Sequence, residues 1–328
     1  MTQPTPGVSG SHHGIITGQN GAVHMESTTT AGRILRGIEF ARPGGGAPLL
    51  LDLYLPAADP ARGAASATPR PAVVHFHGGG WRTGERSSLG PTVDGFGFSP
   101  IEQLVDAGIV VASADYRLTD TATFPAQLHD AKAAVSWIRA HAADYDVDPG
   151  RIYAWGDSAG GHLASLVGLT VGSAAFAEQP DGTHAGGTGV GDSVAAVVAW
   201  YPPTDLVRMG AQARPDAVAS ADDPGSREAL LIGAQPADAP DRARAASPLT
   251  YVHAGAPPFL LIHGTADRFV PAAQSTALAA ALEDAGAAVE LLLLHGADHM
   301  WATPDGSSAA AGTATAATLD FLRRQSER

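Results

Sequence analysis

The stretch Arg151–Leu166, RIYAWGDSAGGHLASL, constrains the fold of this chain more than any other. Ile152–Trp155 is a short apolar run that reads as a buried strand, and the small residues and leucines after Ser158 read as a helix. Between them Gly156-Asp157-Ser158-Ala159-Gly160 fits the pattern G-x-S-x-G. A serine at the tip of so sharp a strand-to-helix turn needs a strained backbone, and glycines two residues to either side let strand and helix pass closely. The N–H of Ala159 then lies at a helix N-terminus, where it is free to hold an anionic oxygen. A five-residue pattern arises by chance in a chain with 39 glycines, so the strand before it and the helix after it are what give it meaning.

A second glycine segment follows another core strand. Ala72–Phe76 reads as buried and runs into His77-Gly78-Gly79-Gly80-Trp81. Three glycines placed there expose consecutive backbone N–H groups with no side chain in a ligand's way, the composition of an HGGG-type oxyanion element.

The remaining chain alternates strands and helices. Strands are expected at 34–40 and 49–55, joined by a hairpin through Pro43-Gly44-Gly45-Gly46, and then at 72–76, 110–118, 152–155, 194–201, 259–262 and 289–294. Helices are expected at 125–143, after the elbow, and at 226–232, 272–285 and 308–323. This predicts an α/β fold with a mostly parallel, twisted sheet of about eight strands, covered by helices on both faces. Residues 1–31, rich in Gly, Ser, Thr and His, read as a flexible arm ahead of one domain at 32–328. Residues 205–247 read as a small cap or insertion, too polar and short for an independent domain, and 172–192 as a loop. His12-His13 reads as a solvated pair in the arm. Asp144–Gly150 has a calcium-loop look, but Pro149 stands where the turn glycine belongs and Trp155 where a bidentate glutamate would.

Composition narrows the function classes. A formal net charge of −13 argues against nucleic acid or an anionic membrane as partner. With no cysteine there is no disulfide, thiol nucleophile or thiolate metal site. Neither a Walker pattern nor a dinucleotide-binding glycine fingerprint opens a helix, so no metal and no cofactor are expected. Lys132, the single lysine, reads as a compositional habit. No secretory leader and no apolar run of bilayer length is visible, which points to a cytoplasmic protein, with secretion open if a leader was removed. A homodimer is compatible with all of this.

Three polar residues close separate expected strands in the order Ser158, Asp267, His299, and the 32 residues between the last two leave room for one helix and one strand. On these residues the chain resembles the α/β-hydrolase superfamily, within it the hormone-sensitive-lipase-like and bacterial fatty-acid-esterase-like carboxylesterases. The matching segments are His77–Trp81, Asp115-Tyr116-Arg117-Leu118, Gly156–Gly161, His263–Asp267 and His299, spread over about residues 70–325. The resemblance implies Ser158 as nucleophile, His299 as its base and Asp267 as the acid that orients the imidazole. It implies an oxyanion hole from the N–H groups of Gly79, Gly80 and Ala159, with the choice of two among Gly78, Gly79 and Gly80 open. The cap helices of hormone-sensitive-lipase relatives are hard to find here, so a more open pocket is expected. Trp81, Trp200, Tyr201, Met300 and Trp301 follow strand ends and are candidates to line it, against a competing reading as core. His295 reads as packing at its strand end, His263 as structural, His162 as packed, and Asp115 and Arg117 as a structural ion pair or cap. The expected activity is hydrolysis of small, uncharged esters with short or medium acyl groups through an acyl-enzyme. An amidase, arylformamidase or carbohydrate esterase (acetyl or feruloyl) would use the same groups, and a non-catalytic binding protein would share the fold but should lack part of the triad.

Overall fold

The computed structural model describes residues 13–17, 23–28, 32–57, 68–173, 176 and 190–327. The strands are β1 (His13–Thr17), β2 (Val23–Thr28), β3 (Gly32–Ala41), β4 (Leu49–Pro56), β5 (Arg70–Phe76), β6 (Val110–Ala114), β7 (Val147–Asp157), β8 (Val197–Trp200), β9 (Phe259–Gly264) and β10 (Val289–Leu294). The helices are α1 (Pro91–Asp94), α2 (Pro100–Asp106), α3 (Ala126–Ala140), α4 (Ala159–Leu169), α5 (Met209–Gln212), α6 (Arg227–Ile232), α7 (Pro240–Ala245), α8 (Ala273–Asp284) and α9 (Ala309–Ser326).

All ten strands form one sheet in the order β1-β2-β3-β4-β6-β5-β7-β8-β9-β10. β1 to β4, and β4 against β6, pair antiparallel; from β6 through β10 every pairing is parallel. The chain leaves β5 toward β6 on one side and leaves β7 toward β8 on the other. The sheet therefore changes direction between β5 and β7, and a crevice opens at their C-terminal ends. The two glycine-bearing segments exit there.

Parallel strands are buried on both faces, which explains their unbroken apolar runs. On one face Leu128, Val135, Leu163 and Leu278 of α3, α4 and α8 pack over Val74, Val197 and Ala199. On the other Leu104, Phe321 and Leu322 of α2 and α9 pack over Val73, Val198 and Trp200. β8 shows the period of two directly: Val197 and Ala199 join the first core, Val198 and Trp200 the second.

The structure corrects parts of the sequence reading. The fold class is as expected, and two strands join the expected eight: β1 and β2, from the segment read as an arm, with β1 pairing antiparallel with β2 and β2 with β3, Met25 opposite Arg36 and Ser27 opposite Ile34. His12 and most of the expected 172–192 loop lie outside the described residues. Strand β6 ends at Ala114. Asp115 and Arg117 do form ion pairs, but with other partners: Asp115 with Arg86 at 2.7 Å and Arg117 with Asp130 at 2.8 Å. Two further short helices, α5 and α7, occupy the 205–247 segment. Lys132 has a structural place, since its buried ammonium meets Asp192 at 2.6 Å and the Thr170 carbonyl at 2.8 Å.

Candidate active site

Ser158 stands between the last residue of β7 and the first of α4, with φ 52° and ψ −116°. For a non-glycine residue this backbone costs about 1–3 kcal/mol and survives only when its surroundings hold it. Its N–H donates to the Trp200 carbonyl at 2.8 Å, and its carbonyl accepts from the His162 N–H at 3.0 Å. A Cβ on Gly156 would collide with Gly160, and one on Gly160 with the Phe76 carbonyl, so the turn closes only with glycine at both positions.

β9 delivers Asp267 and β10 delivers His299 to the same crevice. Ser158 Oγ lies 3.0 Å from His299 Nε2, and His299 Nδ1 lies 2.7 Å from Asp267 Oδ2. The other carboxylate oxygen, Oδ1, accepts from the N–H groups of Phe269 and Val270, both at 2.8 Å. Burial works against the Asp267 charge, but the adjacent His299 and His263 and their hydrogen bonds hold its carboxyl well below the usual carboxylate range. His263 is itself fixed, bonded through Nδ1 to Ser275 Oγ at 2.7 Å and through Nε2 to the Val270 carbonyl at 2.9 Å.

The loop after β5 turns through positive φ at Gly79 (106°), Gly80 (63°) and Trp81 (56°). A Cβ on Gly79 would overlap the Thr83 carbonyl, so this path needs glycine. Among the described residues no acceptor takes the N–H of Gly79, Gly80 or Ala159. Tyr116 props the loop from behind, its hydroxyl donating to the His77 carbonyl at 2.8 Å while its ring stacks on the His77 imidazole at 4.3 Å. These groups open on a cavity of about 630 Å³, lined among others by Ser158, His299, Leu89, Met209, Arg227 and Phe269.

The BD-FAE family profile matches residues 51–282. This chain belongs to the BD-FAE family. It is 35% identical over 246 residues to esterase LipQ of Mycobacterium tuberculosis (strain ATCC 25618 / H37Rv), a match covering 74% of this chain and 52% of that protein. The chain spans about half the length of the curated relatives it matches. Among solved structures, a truncated carbohydrate esterase from gut microbiota superposes with a TM-score of 0.73 at 27% identity, covering 92% of this chain and 99% of the other. Esterase Est2 of the planctomycete Thermogutta terrifontis, with propionate bound, gives 0.65 at 29% identity, covering 88% and 93%. The sheet and its helices are those of an α/β-hydrolase.

In this BD-FAE chain the expected pocket aromatics divide. Trp81 and Met300 line the cavity. Trp200, Tyr201 and Trp301 do not; all three are fully buried in the core on the α9 face. The pleat of β8 sends Trp200 to that face, where its Nε1 donates to Thr318 Oγ1 at 3.0 Å. Trp301 meets Trp200 edge-on at 5.3 Å, and Tyr201 backs the His299 ring at 4.5 Å. His295 is exposed rather than packed. His162 is buried, with Nε2 donating to the Ala246 carbonyl at 2.6 Å and Nδ1 accepting from Trp81 Nε1 at 3.2 Å.

Several contributors escaped the sequence reading. Asp298 accepts from the N–H groups of His299 at 2.7 Å and Arg268 at 2.9 Å and so fixes the backbone that carries the imidazole. Its only sequence signal was adjacency to His299. Tyr116 sat in a quoted motif without a role. Arg227 and Phe269, which meet across the cavity, had no signal at all.

Proposed function

We propose that this chain hydrolyses carboxylic esters through an acyl-enzyme on Ser158, with residues 32–328 as one catalytic unit and 205–247 as its lip. The observation that supports this best is the hydrogen-bonded line Ser158 Oγ, His299 Nε2, His299 Nδ1, Asp267 Oδ2, spaced at 3.0 and 2.7 Å and opening on a cavity. The Asp267 carboxylate accepts at Nδ1, which leaves Nε2 as the acceptor for the Ser158 proton. Ser158 Oγ then attacks the ester carbonyl carbon while His299 takes that proton. The carbonyl oxygen gains a negative charge and is held by N–H groups from Ala159, Gly79 and Gly80. Donors of this kind typically contribute about 10²–10³ each in rate. The tetrahedral adduct collapses, His299 returns the proton to the departing alcohol, and a water repeats the sequence on the acyl-enzyme.

The cavity of about 630 Å³ supports a reading with short to medium acyl groups. Replacing Ser158 with Ala should lower kcat on p-nitrophenyl butyrate by about 10⁴-fold or more, and a fluorophosphonate probe should label the wild-type protein and not the variant. Undiminished turnover in S158A would overturn the reading. A second reading, a carbohydrate ester as substrate, is favoured by the carbohydrate esterase that covers 92% of this chain. Acetate release from acetylated xylan, compared with p-nitrophenyl acetate at equal enzyme, decides between the two.

A further inference from the structure

Arg227 heads α6 and lines the cavity. Its Cγ, Cδ and Nε fill the space that a Cβ on Gly80 would take, so the side chain rests on the backbone of the oxyanion loop. Its guanidinium carbon then stands 5.5 Å from the centroid of the Phe269 ring, which lies 5.3 Å from the His299 ring. Arg227 is exposed on the cavity lining, and its arm reaches from the Gly80 backbone to the Phe269 ring.

Other cavity arginines are neutralised: Arg268 by Asp298 at 2.6 Å and Arg214 by Asp216 at 2.9 Å. Among the described residues no carboxylate pairs with Arg227 or with Arg82, which lines the same space. The acidic groups lining the cavity are Asp157, Asp223, Glu228 and Asp267. Asp267 is engaged with His299, and burial pushes the Glu228 carboxyl up against the opposing pull of the Arg227 charge. A guanidinium without a carboxylate partner on the lining of this cavity, in a chain of net charge −13, is open to an anionic ligand.

We propose that Arg227, assisted by Arg82, binds a carboxylate on the substrate, so that the site selects esters carrying a carboxylate a few atoms from the scissile carbonyl. The inference rests on the esterase reading above and replaces the uncharged ester expected from the sequence with an anionic one. The planar guanidinium matches a carboxylate in two parallel hydrogen bonds. Gly80 leaves room for the arm, and the Phe269 ring gives the guanidinium a face to rest on.

The test compares matched esters. With the charge on the acyl half, mono-p-nitrophenyl glutarate is set against p-nitrophenyl valerate. With the charge on the alcohol half, the butyrate ester of glycolic acid is set against ethyl butyrate. In at least one pair kcat/KM should favour the anion about 10- to 100-fold, and the responding pair tells which half of the substrate Arg227 meets. That ratio should collapse in R227Q, recover in part in R227K and shrink with rising salt. Fluorophosphonate labelling of Ser158 in each variant counts folded sites. Equal kcat/KM within both pairs, or a ratio unchanged in R227Q, overturns the proposal while leaving the esterase reading intact. No turnover of either member of either pair removes the esterase reading and this inference with it.

Discussion

Ser158 and Arg227 face the same cavity but are held in place by different means. Ser158 sits between an 11-residue strand at the centre of the sheet and an 11-residue helix buried at every position. Arg227 heads a helix of 6 residues in a segment whose other helices, α5 and α7, have 4 and 6. The floor of the site therefore inherits the rigidity of the sheet, while the lip is held by buried side chains of its own, Leu206, Met209, Leu231 and Ala243 among them, and by individual bonds. Val218 N–H reaches the Arg268 carbonyl at 3.0 Å, Arg214 Nη1 the Thr265 carbonyl at 3.2 Å, and Phe124 N–H the Leu231 carbonyl at 2.8 Å. On this division floor residues should govern kcat, and lip residues KM and selectivity.

The largest effect is expected at the floor. In D267N the amide offers His299 Nδ1 a donor in place of an acceptor, so the imidazole takes the wrong tautomer and kcat should fall about 10⁴-fold with little change in KM. The same variant carries a stability signature. The Asp267 carboxyl is depressed in the folded chain, so its contribution is present above the unfolded value of about 4 and is lost as pH falls below it. Urea titrations should show wild type losing its lead over D267N only in that acid range. A comparable loss in KM from D267N would break the division between floor and lip.

His162 ties the two regions together, since it lies on α4 and bonds the Ala246 carbonyl at the end of the lip. Burial lowers its pKa to about 4, against an ordinary value of 6.5. Above about 6.5 the ring is neutral in both states and its contribution is complete. As pH falls through that value the unfolded chain takes up a proton that the folded ring refuses, so stability drops until about 4, where the folded ring protonates too. The loss over this window is about 3 kcal/mol. H162Q, which keeps a donor for Ala246 and an acceptor for Trp81, should flatten the stability curve between those limits. An unchanged slope would show that the ring exchanges protons freely and that the floor-to-lip tie is loose.

The same contrast explains what the sequence revealed. Strands β3 to β10 and helices α3, α4, α8 and α9 are long or apolar enough to carry a period, and the elbow and the HGGG run announce tight backbone by composition. The lip helices are too short for a period to form, so among them only α6 was visible. β1 and β2 are short segments inside a Gly-, Ser-, Thr- and His-rich stretch, and pairing of β1 with β2 and of β2 with β3 gives them order that the surrounding composition does not advertise. Trp200 and Trp301 were misplaced for another reason. A residue at a strand end points into the crevice or into the core according to the pleat, and a one-residue shift in parity exchanges the two. Arg227 was invisible because its meaning comes from Gly80 and Phe269, both remote in the chain.

The smallest expected effect tests the lip alone. Arg214 holds Asp216 at 2.9 Å and the Thr265 carbonyl at 3.2 Å, so it staples the lip to the loop that carries Asp267. The ion pair is exposed, and such pairs contribute about 0–1 kcal/mol. The bond to Thr265 adds a gain of about the same size. R214A should therefore raise KM by about 2- to 5-fold, with a smaller change in kcat. The raised KM should hold for esters of every acyl length, because the staple orders the lip rather than touching the acyl chain. If kcat fell as far as KM rose, the lip would be positioning the reacting groups as well as the substrate, and the boundary between the two regions would have to be drawn closer to Asp223 than to Arg268.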